Sequence, residues 1–293
     1  MDCVFITNDD GYNEGMESLI NYLHNLQIPL LVIIPKINKS ASSMSISLRK
    51  QMRISRKFEI EKKLKNNNSE LKIYTLDGTP TDCSLFLDFA KDSDFFGGMN
   101  PIFAISGVNH GANLSHDILH SGTFGAARQT SMNGLPSIAS SYCDYSGNGI
   151  RKASKITAEI CNLLWNKEST SNKLLHSFFD GSILLNLNVP SDFNGELKLA
   201  SLGIRDYKNA LSLNSIDGYS EVDIKFQGPN IVEEEIQNTD VTLVGNRVAS
   251  ISLIPTWPFS HPRYPNEVII NAIKKLDSIE EFFNPLFIQD NGE

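Results

Sequence analysis

Three consecutive segments at the start of the chain restrict the fold more than anything that follows. "DCVFIT" (2–7) reads as a short buried strand. "GMESLINYLHNLQ" (15–27) carries Met16, Leu19, Ile20, Leu23 and Leu26 at the spacing of one helix face. "LLVIIP" (30–35) is apolar throughout and is stopped by Pro35. A strand apolar on both sides must be covered on both, so this strand–helix–strand order predicts a parallel sheet flanked by helices, an α/β fold. The same alternation continues. "PIFAIS" (101–106), "SIASSY" (137–142) and "SILLNLNVP" (182–190) read as strands, the last as the final central one. "TFGAARQTSM" (123–132) suits a helix stopped by Asn133-Gly134, and "IRKASKITAEICNLLW" (150–165) is an amphipathic helix.

Between these, residues 52–76 are polar and punctuated by Asn67, Asn68 and Ser69, which predicts a β-hairpin insert with an exposed tip. After Pro190 the segments become short and polar. We therefore expect a core over 1–190 and a smaller extension over 191–293. In the extension, Glu233, Glu234 and Glu235 suit a solvated face, and "VTLVGNRVASISL" (241–253) suits a hairpin turning on Gly245-Asn246.

Composition removes several classes of function. The 293 residues are 41% hydrophobic and 20% charged, ordinary for a globular protein. A net charge of −8 argues against a nucleic-acid polymer as partner. A small phosphorylated ligand stays open, because one site can be positive on an acidic protein. The longest apolar run, "IPLLVIIP" (28–35), is far below the roughly 20 residues of a membrane span. No basic stretch followed by an apolar one opens the chain, so the cytoplasm is the expected compartment. Cys3, Cys83, Cys143 and Cys161 form no CxxC pair and sit in or beside apolar runs, which fits buried small side chains better than a zinc site.

In an open α/β sheet, ligands bind beyond the carboxyl ends of the strands. The first strand runs into Asn8, Asp9, Asp10 and Gly11; the second into "KINKSASS" with Asn38, Lys39, Ser40, Ser42 and Ser43; the strand before Ser106 into "SGVNHGANLSHD" (106–117). Adjacent carboxylates in a crevice need their repulsion offset, and a divalent cation held by oxygen ligands would do so. "NDDG" is equally what a capped turn looks like. Two more stretches bear on the choice. "DGTPTDC" (77–83) has a tight loop with Thr81 or Asp82 able to cap a helix over 83–89. "HSGTFGAA" (120–127) places Ser121, Gly122 and Thr123 at a helix start, where free N–H groups and the helix dipole favour an anion.

"ITNDDG", "NKSASS", "GTPTDC", "SGVNHGANLSHD" and "SGTFGAA" occur in the order and spacing of the SurE family of survival-protein 5'-nucleotidases, which this sequence resembles over roughly residues 1–142. The likeness continues more thinly through "LNLNVP" (185–190) and "TDVTLVGNRVASISLIP" (239–255). The resemblance implies a Rossmann-like core, with a C-terminal extension exchanged between subunits of a homodimer or homotetramer. It implies a phosphatase dependent on Mg²⁺ or Mn²⁺ that acts on nucleoside 5'- and 3'-monophosphates. It places the metal on Asp9, Asp10, Ser40 and Asn109 and the phosphate on Ser121, Gly122 and Thr123, with Asn113 lining the same pocket. It also implies that Thr239-Asp240 opens a helical turn, in competition with the hairpin over 241–253. The attacking group is expected to be a water activated at the metal, with Asp9 or Asp10 as its base.

The sequence departs from the family at Ala41 and Ser115, where Gly is usual, at His120, where Tyr is usual, and at Gln129-Thr130, where Glu-Gly is usual. Gly at position 41 would permit a backbone shape that Ala resists. Among the remaining candidates, His110 in the "NHG" loop suits a lining or a catalytic role equally, and Lys39 a phosphate contact or a solvated surface equally. His116 beside Asp117 suits a polar pair, His24 the polar side of its helix and His176 a linker. His261 follows a proline-rich tail segment. Two other classes remain open: a nucleotide-binding regulator without turnover, and a nucleotide-sugar transferase holding a diphosphate on the same carboxylates.

Overall fold

The computed structural model describes residues 1–65, 67–145, 149–165, 173–214, 223–226 and 230–287. Its centre is a parallel sheet. β1 (Asp2–Thr7) pairs in parallel with β2 (Leu30–Pro35) on one side and with β5 (Asn100–His110) on the other. Beyond β2 lie β4 (Leu71–Leu76) and the antiparallel edge strand β3 (Ile54–Arg56). Beyond β5 lie β6 (Ser137–Tyr142) and β7 (Ile183–Val189), both parallel. The chain thus leaves β1 in one direction for β2 and β4 and later returns past it for β5 and β6. A topological switch point forms at the carboxyl ends of β1 and β5.

Alternation along the strands divides the core into two layers. Val4 and Ile6 pack with Met16, Leu19, Ile20 and Leu23 of α1 (Glu14–Asn25) and with Ile150, Ala153 and Ile160 of α5 (Ile150–Trp165). Cys3 and Phe5 pack on the opposite face with Cys83 and Leu87 of α3 (Pro80–Ala90). α4 (Gly122–Met132) covers that second face beside α3. Burial pushes the Cys3 thiol up to about 12, so it packs as a small apolar group.

Several local expectations change. Residues 52–76 do supply two antiparallel strands, β3 and β4, but α2 (Phe58–Leu64) joins them instead of a hairpin loop. The reason is tertiary. Glu61 of α2 is buried, accepts both Nε and Nη2 of Arg56, and takes the main-chain N–H of Ile73 at 2.8 Å. Helix α3 begins earlier than expected, with Thr79 as its N-cap and Asp82 closing a capping box, so position 81 caps nothing. His24 lies on the buried face of α1, with neither ring nitrogen paired among the described residues. His176 sits not in a linker but on α6 (Lys173–Phe179).

The sheet also continues past residue 190. The stretch 241–253 forms α7 (Asp240–Gly245), capped by Thr239 as the resemblance implied, and then β13 (Ala249–Pro255), not a hairpin. β13 adds to β7 antiparallel and carries β8 (Leu197–Leu199) as the outer edge, so β7 is not the last central strand. Between β8 and α7 the chain forms two small antiparallel ladders. β9 (Arg205–Lys208) pairs with β12 (Asn230–Glu233), and β10 (Leu211–Asn214) pairs with β11 (Asp223–Phe226). Two tail helices follow, α8 (Glu267–Lys275) and α9 (Ile279–Phe287). No helix among the described residues is long and apolar enough to cross a membrane.

Candidate active site

The loop after β1 is folded by its own side chains. Asn8 donates from Nδ2 to the Gly11 carbonyl at 2.6 Å and accepts the Gly11 N–H at 3.0 Å. That asparagine turn sends Asp9 and Asp10 in different directions. Asp9 is buried, at 3% exposure. Its Oδ1 accepts the Thr123 hydroxyl at 2.6 Å. Asp10 accepts Asn38 Nδ2 at 2.9 Å on Oδ1, and on Oδ2 both Asn13 Nδ2 and the His110 N–H at 3.3 Å. His110 Nδ1 lies 3.8 Å from the same oxygen.

Burial pushes the Asp9 carboxyl up to about 6; the Thr123 hydroxyl opposes the rise and the charge of Asp10 adds to it. The backbone N–H groups of Asp9 and Thr123 also favour the ionised form. Asp9 therefore faces the first turn of α4. Ser121 is the N-cap there, taking the Phe124 N–H at 3.0 Å, and its own N–H goes back to the Asp117 carbonyl at 3.0 Å. Gly122 cannot carry a side chain, since a Cβ would lie 2.6 Å from Ser42 Oγ and 3.0 Å from Asp9 Oδ2. Ser42 Oγ is itself buried with no hydrogen-bond partner among the described residues.

The loop after β2 completes this edge. The Lys39 N–H donates to the Asp9 carbonyl at 2.7 Å, and the Ser40 N–H to Asn38 Oδ1 at 2.9 Å. Ser43 reaches across to the residues before α4, giving its N–H to His120 O at 2.9 Å and its hydroxyl to Leu119 O at 2.7 Å. Ala41 and Ser43 hold φ of 56° and 52°. Asn109 closes the far side, donating from Nδ2 to Gly111 O at 2.9 Å next to the His110–Asp10 contact.

Asp9, Asp10, the 38–43 loop, Asn109 and the start of α4 thus converge at the switch point. The fit to a divalent cation rests on oxygens. No group of three or more His, Cys, Asp or Glu side chains gathers as a metal site among the described residues, so any ion would be held by two carboxylates with hydroxyl and amide oxygens. Such a donor set suits a hard cation. The Ser42 hydroxyl is a buried polar group with no protein partner among the described residues, which suits a non-protein group at this edge. A phosphate at α4 would meet the Asp9 carboxylate, and a cation between them would offset that repulsion.

Asn113 is placed differently from Ser121–Thr123. Its Nδ2 donates to Ser141 Oγ at 2.7 Å, its N–H to Asn188 Oδ1 at 2.9 Å, and its carbonyl accepts Asn186 and Asn188 amides. It belongs to a buried amide network over β6 and β7. Asp117 does not pair with His116; it takes Arg205 Nη1 at 2.7 Å and the Tyr207 hydroxyl at 2.5 Å, and Glu233 pairs with Arg205 instead of lying free in solvent. Sequence reasoning placed Asp240 at a helical turn but gave its side chain no role. It is fully buried and accepts the N–H groups of Ser115 at 2.8 Å, Gly203 at 2.7 Å and Val241 at 2.9 Å. An aspartate directly after a Thr N-cap was the available signal.

Known proteins resemble this chain in sequence and fold. The family model described as Survival protein SurE matches residues 4–209. A protein of Natranaerobius thermophilus named 5'-nucleotidase SurE is 29% identical over 257 residues, covering 86% of this chain and 92% of its own. One of the same name from Thermoanaerobacter sp. is 34% identical over 197 residues, 67% of this chain and 68% of its own. The crystal structure of the SurE protein from Aquifex aeolicus superposes with a TM-score of 0.66 over 93% of this chain and 98% of that one, at 24% identity, a likeness of fold. With the family model covering most of its length and the expected mostly parallel sheet in place, the chain belongs to the SurE family.

Proposed function

We propose that this chain is a 5'-nucleotidase, a phosphatase that releases inorganic phosphate from nucleoside 5'-monophosphates and also from 3'-monophosphates, with Mg²⁺ or Mn²⁺ as cofactor. The observation that carries the reading is Asp9, a buried carboxylate aimed at the N-terminus of α4 through Thr123. Asp9, Asp10, Ser40 and Asn109 would hold the ion, which when bound supplies Lewis-acid polarisation of the phosphoryl oxygen and an activated water. Ser121, Gly122 and Thr123 hold the phosphoryl oxygens at the helix N-terminus, where N–H groups and the dipole oppose the developing charge. Asn113, held by Ser141 and Asn188, would line the same pocket. Whichever of Asp9 and Asp10 binds the ion less directly would take the proton of the attacking water.

Assembly as a homodimer or homotetramer through the extension fits the exposed apolar side chains on its ladders, Leu211, Ile224, Ile231 and Val232. The test is phosphate release from a panel of nucleoside 5'- and 3'-monophosphates with Mg²⁺, Mn²⁺ or EDTA. Release with metal and none in EDTA is expected. A folded sample that binds nucleotides but releases no phosphate with any metal would overturn the phosphatase and favour a regulator.

A further inference from the structure

The carboxylates and the α4 turn account for a phosphate, but nothing in them distinguishes a nucleotide from any other phosphomonoester. The described structure offers aromatic rings at the same edge. His120 immediately precedes Ser121, is exposed, and is fixed in place by the Ser43 N–H on its carbonyl. His116 stands edge-on to His120 at 6.3 Å and to Tyr207 at 5.7 Å between centroids. Tyr207 comes from β9 in the extension, with 37% of its surface exposed. On the other side, Tyr145 is 85% exposed and lies against the loop that follows Asn109, where a Cβ on Gly111 would approach its hydroxyl to 2.8 Å.

Tyr207 is held rigidly for a half-exposed ring. Its hydroxyl donates to Asp117, and Arg205, ion-paired to Asp117 at 2.7 Å and Glu233 at 2.9 Å, lies 5.9 Å from the ring centroid. Asp117 is also the residue whose carbonyl takes the N–H groups of His120 and Ser121, both at 3.0 Å. One residue thus ties the Tyr207 ring to the phosphate end of the site. A ring fixed before binding loses little entropy when a flat ligand covers it.

We propose that Tyr207, with His116 and His120 beside it, is the stacking wall for the nucleobase, so that the extension supplies the preference for nucleotides over simple phosphate esters. The inference rests on the nucleotidase reading and deepens it. Stacking on a ring tolerates every base and rewards the larger purine face.

The test is the ratio of kcat/KM for AMP to that for ribose 5-phosphate. Tyr207→Leu is expected to lower this ratio roughly tenfold, the change that one base–aromatic stack carries, while Tyr207→Phe, which keeps the ring and loses the Asp117 bond, holds it within about twofold. A merely structural role would move both substrates together. An unchanged ratio in Tyr207→Leu, or equal losses for both substrates, would overturn the proposal. If the wild-type chain releases phosphate from neither compound, the phosphatase reading fails and equilibrium dialysis decides the wall. Retention of AMP over ribose 5-phosphate by wild type and not by Tyr207→Leu would uphold it. Equal retention of the two by wild type would sink it.

Discussion

Asp9 carries the clearest electrostatic shift among the candidate site residues. In the metal-free protein its carboxyl holds a proton up to about pH 6, against an ordinary value of 3.8, because burial disfavours the charge. The folded state therefore binds the proton more tightly than the unfolded chain. The stability this gives is complete below the unfolded value and is lost as pH rises through about 6. At full loss it is on the order of 3 kcal/mol. In EDTA, the melting temperature of wild type relative to Asp9→Asn should fall between about pH 4 and pH 7, and Mn²⁺ should restore more of it at pH 7 than at pH 5. Thermal scans of the two proteins check this, and parallel curves with and without Mn²⁺ would refute it. Asp9→Asn should also abolish phosphate release while leaving the fold intact. The departures from the family have a physical reading at the same scale. Ala41 and Ser115, where the family favours Gly, both sit at positive φ, 56° and 53°. A residue with a Cβ is strained there by about 1 kcal/mol. Ala41→Gly should raise stability in urea unfolding by up to about 1 kcal/mol, part of the relief being offset by the freer unfolded chain. Ser115→Gly should gain less, because the Ser115 hydroxyl donates to Gly203 O at 2.8 Å. The carboxylates and the small-residue loops were legible because they follow strands in sequence, and the helix start because Ser121 to Thr123 open an apolar helical pattern. Thr123 bonding Asp9 was not, because that contact spans more than a hundred residues.

The turn that leads into α4 is suspended between elements far apart in the chain. Ser115–Leu119 forms a short 3₁₀ turn leading into α4. Asp240 at the start of α7 takes the N–H of Ser115, Arg205 and Tyr207 on β9 hold Asp117, and Ser43 after β2 holds Leu119 and His120. Burial raises the Asp240 carboxyl, and the N–H groups of Ser115, Gly203 and Val241 act against the rise. Asp240→Ala would leave two loops with unpaired N–H groups, each costing roughly 1–3 kcal/mol. We expect a loss of about 3 kcal/mol in urea unfolding together with a higher KM for nucleotide. Asp240→Asn, which keeps one acceptor oxygen, should lose less of both. Wild-type KM in Asp240→Ala would show that α7 does not position the turn. Local pattern failed at this scale in a consistent way. Residues 52–76 read as a β-hairpin punctuated at Asn67, Asn68 and Ser69, yet 58–64 form a helix whose Glu61 is buried against Arg56 and the Ile73 N–H. Gly245-Asn246 reads as a hairpin turn, yet the Thr239 cap two turns earlier starts a helix that those residues end. In each case a hydrogen-bonding group just outside the segment decided between two locally acceptable structures.

At the scale of the whole molecule, the division expected at Pro190 runs through the sheet. β7 is buried along its entire length, and the strand covering its outer edge is β13, from residues 249–255. β8 then pairs with β13 by way of Ala249, Ser250 and Ile251. The sequence after 190 looks like a separate module because its segments are short and polar, but its one strongly apolar strand belongs to the core. Strand direction explains why this was hidden. β13 runs antiparallel on an otherwise parallel inner sheet, and no local feature of "ASISLIP" announces which edge it joins. The extension is therefore expected to melt with the core. Calorimetry of the full chain should show one transition, with calorimetric and van't Hoff enthalpies in agreement per cooperative unit. A chain ending at residue 190 should expose the edge of the otherwise buried strand β7, which is a template for aggregation. It should be recovered as insoluble material. It would also lack Asp240, Arg205 and Tyr207, so the turn leading into α4 would have lost two of its three supports. A soluble 1–190 fragment with its own cooperative unfolding transition would make Pro190 a true domain boundary and reduce β13 to a strand added after the core has formed.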